Sequence, residues 1–394
     1  MADPLSPSGL ERFTKVAASH VGSDKIPGLV ALVARKDQVH VETLGSLRIG
    51  GPPVQRDSLY RIASTSKVVT GAATMALVDD GILGLGDHVD KWLPELADRR
   101  VLRSPASPLD DTVPALGPIT VRQLLNFTFG FGMMLEMFMA DEPWPVVKEA
   151  TDLNLCTLGP PDPEMQPDPD TWIAALGSLP LIGQPGEKWM YNTGASVLGV
   201  LAARATGTPF PEVLRTRIFD PLGMRDTALW TSDPSRLATA YVPTPEGLEV
   251  WDAPEGKWSR APAFGDGAAG LVSTVDDLLA FARMFLAAGT PVLSAEAVGK
   301  MTSDQLTGAQ RGGTGEAFLH GRSWGFCQSV ITEGPRSGGF GWDGGLGTSW
   351  LVDPRHELVV IVLTQRLWET STPPAVHGDL QDAAYAAISH DRTG

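Results

Sequence analysis

Ser64 and Lys67 are the residues of this 394-residue chain whose types and spacing are best suited to chemistry. A serine hydroxyl is a weak nucleophile until a neighbouring base takes its proton, and a lysine serves as that base when its surroundings favour the neutral amine. Residues three apart share one face of a helix, so Ser64-Thr65-Ser66-Lys67 at a helix start would set the amine beside the hydroxyl. The free N–H groups of such a start offer donors to a developing oxyanion. The chemistry implied is acyl transfer from an ester or amide. The spacing alone is unspecific, because a protein of this size contains one by chance. A capped helix with a solvated lysine would read the same way.

Other constellations fit their chemistry less well. Gly321-Arg322-Ser323-Trp324-Gly325 has the spacing of a nucleophile elbow, with Asp343 or Asp353 and then His356 or His377 following in order. That elbow needs a strand, a sharp turn and a helix, whereas Trp324–Ile331 reads on as a strand. The run from Gly339 to Gly344 matches Gly-x-Gly-x-x-Gly, yet a strand follows, so a pyrophosphate would find no helix N-terminus. The seven histidines lack metal-ligand spacing, and His40, His88, His320 and His390 read as surface or loop residues. No metal and no cofactor is expected.

The elements that must position Ser64 and Lys67 are legible in the hydrophobic pattern. Gly28–Arg35 is an apolar, β-branched run broken at Lys36-Asp37-Gln38, and Val39–Thr43 alternates again, which reads as a strand hairpin. Val68, Val69, Ala72, Met75, Ala76 and Val78 fit a mostly buried helix from Ser66 to Asp80, with Gly81 as its C-terminal cap. The middle of the chain holds Pro- and Gly-rich connections with helical signals at Thr120–Leu125, Ala195–Ala205 and Phe210–Arg217, and hardly a strand. Asp266–Thr274 then delivers the chain into a helix, Val275–Leu286, capped by Ser273 or Thr274. Trp324–Ile331, Ser349–Val352 and Leu358–Thr364 read as strands. Strands at both ends and helices between predict an α+β fold: an antiparallel sheet built from both termini, flanked by helices, with a mostly helical lobe inserted. Residues 1–80 and 262–394 would form the discontinuous sheet domain and residues 81–261 the helical one. Leu158–Asp170, rich in Pro and Asp, reads as an irregular excursion.

Charge and composition exclude whole classes of function. With 46 acidic against 31 basic residues, the net charge of -15 repels phosphate backbones and anionic membrane surfaces, so neither nucleic acid nor membrane is an expected partner. Apolar runs such as Leu358–Leu363 fall far short of a bilayer span. Met1 to Lys15 lacks a basic start followed by an apolar run, which predicts a cytoplasmic location. Cys156 and Cys327 read as buried thiols rather than as a pair. No pattern sets an oligomeric state.

Several motifs recur in a fixed order: Leu59-Tyr-Arg-Ile-Ala-Ser-Thr-Ser-Lys67, Gly84–Pro94, Ile119–Leu125, Pro185-Gly-Glu-Lys-Trp-Met-Tyr191, Phe219–Met224, Gly270–Leu278 and Trp350–Pro354. Together they span nearly the whole chain. The set resembles the serine β-lactamase and penicillin-binding-protein superfamily, particularly the branch of class C β-lactamases, family VIII carboxylesterases and related acyltransferases. The resemblance implies a β-lactamase/transpeptidase-like fold with Ser64 as the acylated nucleophile and Lys67 as its partner. Tyr191 would take the place of the family's Tyr-x-Asn tyrosine and relay the proton to the leaving group. Thr193 stands where the family usually has a substrate-holding Asn, which weakens amide recognition and leaves Asn192 as a substitute. Trp342-Asp343-Gly344 takes the place of Lys-Thr-Gly or His-x-Gly. An indole there offers an apolar wall and one donor instead of a cation for a substrate carboxylate, as in the Trp-Gly-Gly form of some family VIII esterases.

The same resemblance makes the N–H groups of Ser64 and Gly345 the expected oxyanion hole. Trp342, Asp343, Gly344, Asn192 and Phe131 are the expected substrate contacts, Phe131 within an apolar acyl pocket formed by Phe127–Met139. Asp343 would repel a carboxylate substrate, or else point away into a hydrogen bond. The function implied is a serine carboxylesterase acting on small esters through an acyl-enzyme. A β-lactamase, a D-amino-acid peptidase or amidase, an acyltransferase and a non-catalytic acylatable sensor are the alternatives on the same fold.

Overall fold

The computed structural model of the chain describes residues 4–22 and 24–388; His390 lies outside them. Its main sheet has seven antiparallel strands: β1 (Gly28–Arg35), β2 (Gln38–Gly45), β3 (Ser323–Trp324), β4 (Ser329–Val330), β5 (Phe340–Gly344), β6 (Thr348–Asp353) and β7 (Leu358–Thr364). Their spatial order is β2-β1-β7-β6-β5-β4-β3, so strands from the two ends of the chain meet where β1 pairs with β7. Every residue of β1 and β7 is buried, which is why both strands read as continuous apolar runs rather than alternating ones. On one face Leu29, Ala31, Val33, Val360 and Val362 pack against helices α1 (Pro7–His20) and α6 (Ala375–Ala386) through Phe13, Leu380 and Ala384. On the other, Val30, Leu32 and Ile361 join the larger core with α2 (Ser66–Asp79) and α4 (Val275–Leu286). This is the α+β arrangement that the pattern predicts. The cap of α4 is Thr274, whose side chain accepts from the Asp277 N–H. Among the described residues no helix is long and apolar enough to cross a membrane.

Three expectations need correction. Trp324–Ile331 is not one strand: Cys327 takes a left-handed backbone (φ 60°) and donates its N–H to Leu125 O at 2.9 Å, folding the segment into the β3–β4 hairpin. Ser323 therefore opens a two-residue strand, buried, with its hydroxyl donating to Asp304, and no helix follows it as an elbow would require. The middle of the chain is also less uniformly helical than its composition suggests. It contains the hairpins Arg100–Leu102 with Thr112–Pro114 and Ala240–Thr244 with Gly247–Asp252. The excursion from Leu158 ends early, because Asp168 caps a helix beginning at Pro169.

The turn that carries Ser64 is clamped from several sides. Ala63–Thr65 forms a single 3₁₀ turn leading into α2, and Ala63 holds a left-handed backbone (φ 44°), a conformation that costs a non-glycine residue about 1 kcal/mol or more. Ile62 donates to Leu271 O at 2.9 Å, and its own carbonyl accepts from Thr348 Oγ1 at 3.0 Å. A side chain on Gly344 would sit 2.4 Å from that same Ile62 carbonyl, so glycine is what lets β5 lie against the turn. Behind the turn, the fully buried Arg61 guanidinium pairs with buried Asp252, donates to Ala238 O and Ala253 O, and lies 5.3 Å from the Trp258 ring. Removing one member of a buried pair strands the other charge, so Arg61→Met should destabilise the fold by about 3 kcal/mol. The midpoint of urea unfolding reads this directly, and a loss below about 1 kcal/mol would show that the pair is not a principal anchor.

Candidate active site

The spacing of Ser64 and Lys67 becomes contact in three dimensions. Lys67 Nζ lies 2.9 Å from Ser64 Oγ and donates to Ala268 O at 2.8 Å, and the side chain is fully buried. Burial without a directly paired carboxylate drives the amine down from its ordinary 10.5 to about 7, against the opposing fields of Asp266 and Cys327. Near neutral pH a large share of Lys67 is thus an uncharged amine facing the serine hydroxyl. The carbonyl that holds it belongs to a loop squeezed between α2 and α3 (Thr193–Thr206). Asp266 Oδ1 accepts from Ser196 Oγ at 2.7 Å and from Ala268 N at 2.9 Å, while Thr70 Oγ1 donates to Gly267 O at 2.7 Å. A side chain on Gly267 would meet Ala195 O at 2.5 Å, so glycine is required for that close approach.

Tyr191 completes the cluster from a different part of the chain. Its main chain exchanges hydrogen bonds with Met133 at 2.8 and 2.9 Å, its hydroxyl is turned toward Ser64, and Lys67 Nζ lies 4.6 Å from its ring centroid. The Trp342 indole N–H donates to Tyr191 Oη at 2.6 Å. Burial raises the phenol above its ordinary range, only partly offset by the bonds from Ser64 and Trp342, so Tyr191 stays protonated at neutral pH. Around it Phe127, Trp189 and Trp324 are buried, while Phe318 and Trp342 are partly exposed. The ring centroids of these five side chains lie between 4.8 and 6.2 Å from that of Tyr191.

A hydroxyl, a buried amine, a phenol and a glycine turn on an adjoining strand form the kind of constellation found in acyl-serine proteins. The family model described as Beta-lactamase matches residues 13–384. The chain belongs to the Beta-lactamase family. Within it, Protein Rv1367c of Mycobacterium tuberculosis is 35% identical over 373 residues, covering 89% of this chain and 88% of that protein. Esterase EstB of Burkholderia gladioli is 30% identical over 390 residues, covering 92% and 91%. Among solved structures, EstCE1, described as a hydrolase with promiscuous acyltransferase activity, superimposes with a TM-score of 0.81 at 24% identity, covering 96% of this chain and 99% of that one, a likeness of fold.

The remaining expected site residues of this Beta-lactamase family chain are distributed unevenly. Gly345 stands at the β5–β6 turn with open space where a side chain would be, and its N–H donates to no described residue. Asn192, with a strained backbone (φ 82°), spends its amide on Thr157 O at 3.3 Å and so ties the excursion loop to the site. Two expectations of substrate contact are corrected. Asp343 points to the opposite face of β5 from Trp342, because side chains alternate along a strand. There it lies 3.8 Å from His377 on α6, both groups buried, and burial holds that histidine below its ordinary pKa. Gly344 is packed against Ile62 rather than open to a ligand. Phe131 is 3% exposed and lines a small, partly open pocket with Met137, Val146, Ala150 and Leu158. Trp342 is in the site, but its single donor is committed to Tyr191.

Sequence reading missed Asp266, Ala268, Phe318 and the buried Trp324. The only available signal was the small-residue run Asp266–Gly270, whose glycines and alanines allow the loop to slip between two helices. Since only the neutral form of Lys67 can accept the serine proton, kcat/KM should rise with pH through about 7 and fall about tenfold per unit well below it. A pH–rate profile that stays flat between about pH 5 and 9 would remove Lys67 as the base.

Proposed function

We propose that the protein is a serine carboxylesterase that cleaves small neutral esters through an acyl-enzyme on Ser64. The observation that carries this reading is the contact between buried Lys67 Nζ and Ser64 Oγ, with the Tyr191 hydroxyl turned toward the same serine. The 30% identity to Esterase EstB over almost the full length supports the ester as substrate class.

The chemistry follows from the positions. Neutral Lys67 takes the Ser64 proton as Oγ adds to the ester carbonyl, and the resulting oxyanion is met by the N–H groups of Ser64 and Gly345. Collapse breaks the bond to the alcohol oxygen, which receives a proton from the Tyr191 hydroxyl. Tyr191 is reprotonated at the expense of the Lys67 ammonium, which returns both groups to their starting state. Water then enters along the path the alcohol left, loses a proton to the same pair, and releases the acid. Trp342 fixes the Tyr191 hydroxyl and puts an indole where other family members carry a cation, which disfavours substrates that need their carboxylate neutralised. Thr193, buried and with its hydroxyl unpaired among the described residues, offers less to an amide than an asparagine would. An alcohol in place of water would give acyl transfer from the same intermediate.

Ser64→Ala should abolish turnover of p-nitrophenyl acetate, and Tyr191→Phe should reduce it by about 10²-fold or more, as expected for loss of a positioned proton carrier. Intact mass after treatment with a fluorophosphonate should show one adduct, mapping to the Ser64 peptide. Labelling of Ser64→Ala to the same extent would overturn the assignment.

A further inference from the structure

Phe318 is the outermost member of the aromatic cluster that holds Tyr191. It lies on α5 (Thr314–Leu319), a short helix separate in sequence from every residue considered catalytic. Its ring centroid is 4.8 Å from that of Tyr191 and 5.7 Å from that of Trp189. Trp189, Trp324 and Phe127 are at most 1% exposed, whereas Phe318 and Trp342 keep part of their surface open. The two open rings both touch Tyr191, the other centroid separation being 5.5 Å. A group bound next to the phenol oxygen therefore has two partly exposed aromatic surfaces to rest on. The cation over the Tyr191 ring, Lys67, is fully buried behind it.

Resting on the esterase reading above, we propose that Phe318 is a specificity-determining residue for the alcohol portion of the ester, and that it selects flat, apolar alcohols such as benzylic ones. The direction follows from the proton. When Ser64 Oγ forms its bond to the acyl carbon, the bond to the alcohol oxygen breaks, and that oxygen takes the Tyr191 proton. The alcohol must therefore sit beside Tyr191 at the moment it leaves, while the acyl carbonyl oxygen faces the Ser64 and Gly345 N–H groups. A benzylic group in that position can stack on Phe318 or meet its edge, while a short alkyl group covers little of it. The acyl portion has no part in this contact.

The test compares ethyl acetate with benzyl acetate, which share one acetyl-enzyme and differ only in the alcohol. In Phe318→Ala the ratio of kcat/KM for benzyl over ethyl acetate should fall about fivefold to tenfold, with Phe318→Leu in between. Both esters pass through one acetyl-enzyme, so any change in its hydrolysis rate, followed after rapid mixing, is common to both and leaves the kcat/KM ratio to report the alcohol contact alone. A merely structural role would lower both esters equally and leave the ratio unchanged, and that result overturns the proposal. If Phe318→Ala fails to fold by circular dichroism, Phe318→Leu decides alone, and an unchanged ratio there is equally fatal. Absence of an acetyl adduct on Ser64 in the parent protein with either ester would instead defeat the esterase reading, and the role of Phe318 would fall with it.

Discussion

Removal of one amine from water is the constraint on which the rest of the structure turns. Lys67 is completely enclosed, its nitrogen shared between the Ser64 hydroxyl and the Ala268 carbonyl, with no carboxylate in direct contact. A charged lysine is costly in such a place, so the fold favours the neutral form near pH 7. Everything adjacent serves that placement. The Asp266–Gly270 loop supplies the carbonyl, Ser196 and Thr70 hold the loop, and the facing ends of β5 and β6 at Gly344 and Thr348 hold the turn from the other side. Asp266 is near enough to temper the shift, which sets the amine close to neutrality rather than far below it.

The aromatic cluster solves a second problem, which is how to keep a phenol protonated and aimed with the Lys67 nitrogen only 4.6 Å from its ring centroid. Rings from four separate segments enclose Tyr191, three of them buried, and the one polar contact from the β5 strand is the Trp342 N–H. Because the indole is neutral, it orients the hydroxyl without stabilising a phenolate as strongly as an ammonium would.

Much of this was legible in the sequence where local pattern and tertiary role agree. The β1–β2 hairpin and the α2 and α4 helices fall within two residues of their expected ends, since continuous apolar runs and a Thr cap report directly on burial and helix starts. The residues that failed were those whose conformation is set by distant partners. Cys327 breaks a strand-like run because Leu125 offers it a carbonyl, and nothing near Cys327 in sequence announces that. Asp343 and Gly344 were expected at the substrate because they follow Trp342, yet strand alternation sends the carboxylate to His377 and the close approach of Ile62 claims the glycine. Phe318 could not be found at all, as it reaches the site from a short helix far from Ser64 in the chain.

The account stands or falls on the charge of Lys67, which site-resolved NMR of isotopically labelled lysine side chains can follow without reference to turnover. Comparison with Lys67→Ala assigns the resonance. The account predicts that this one amine titrates near 7, well below the ordinary lysine value of 10.5. A Lys67 that stays charged up to the ordinary lysine range would contradict it.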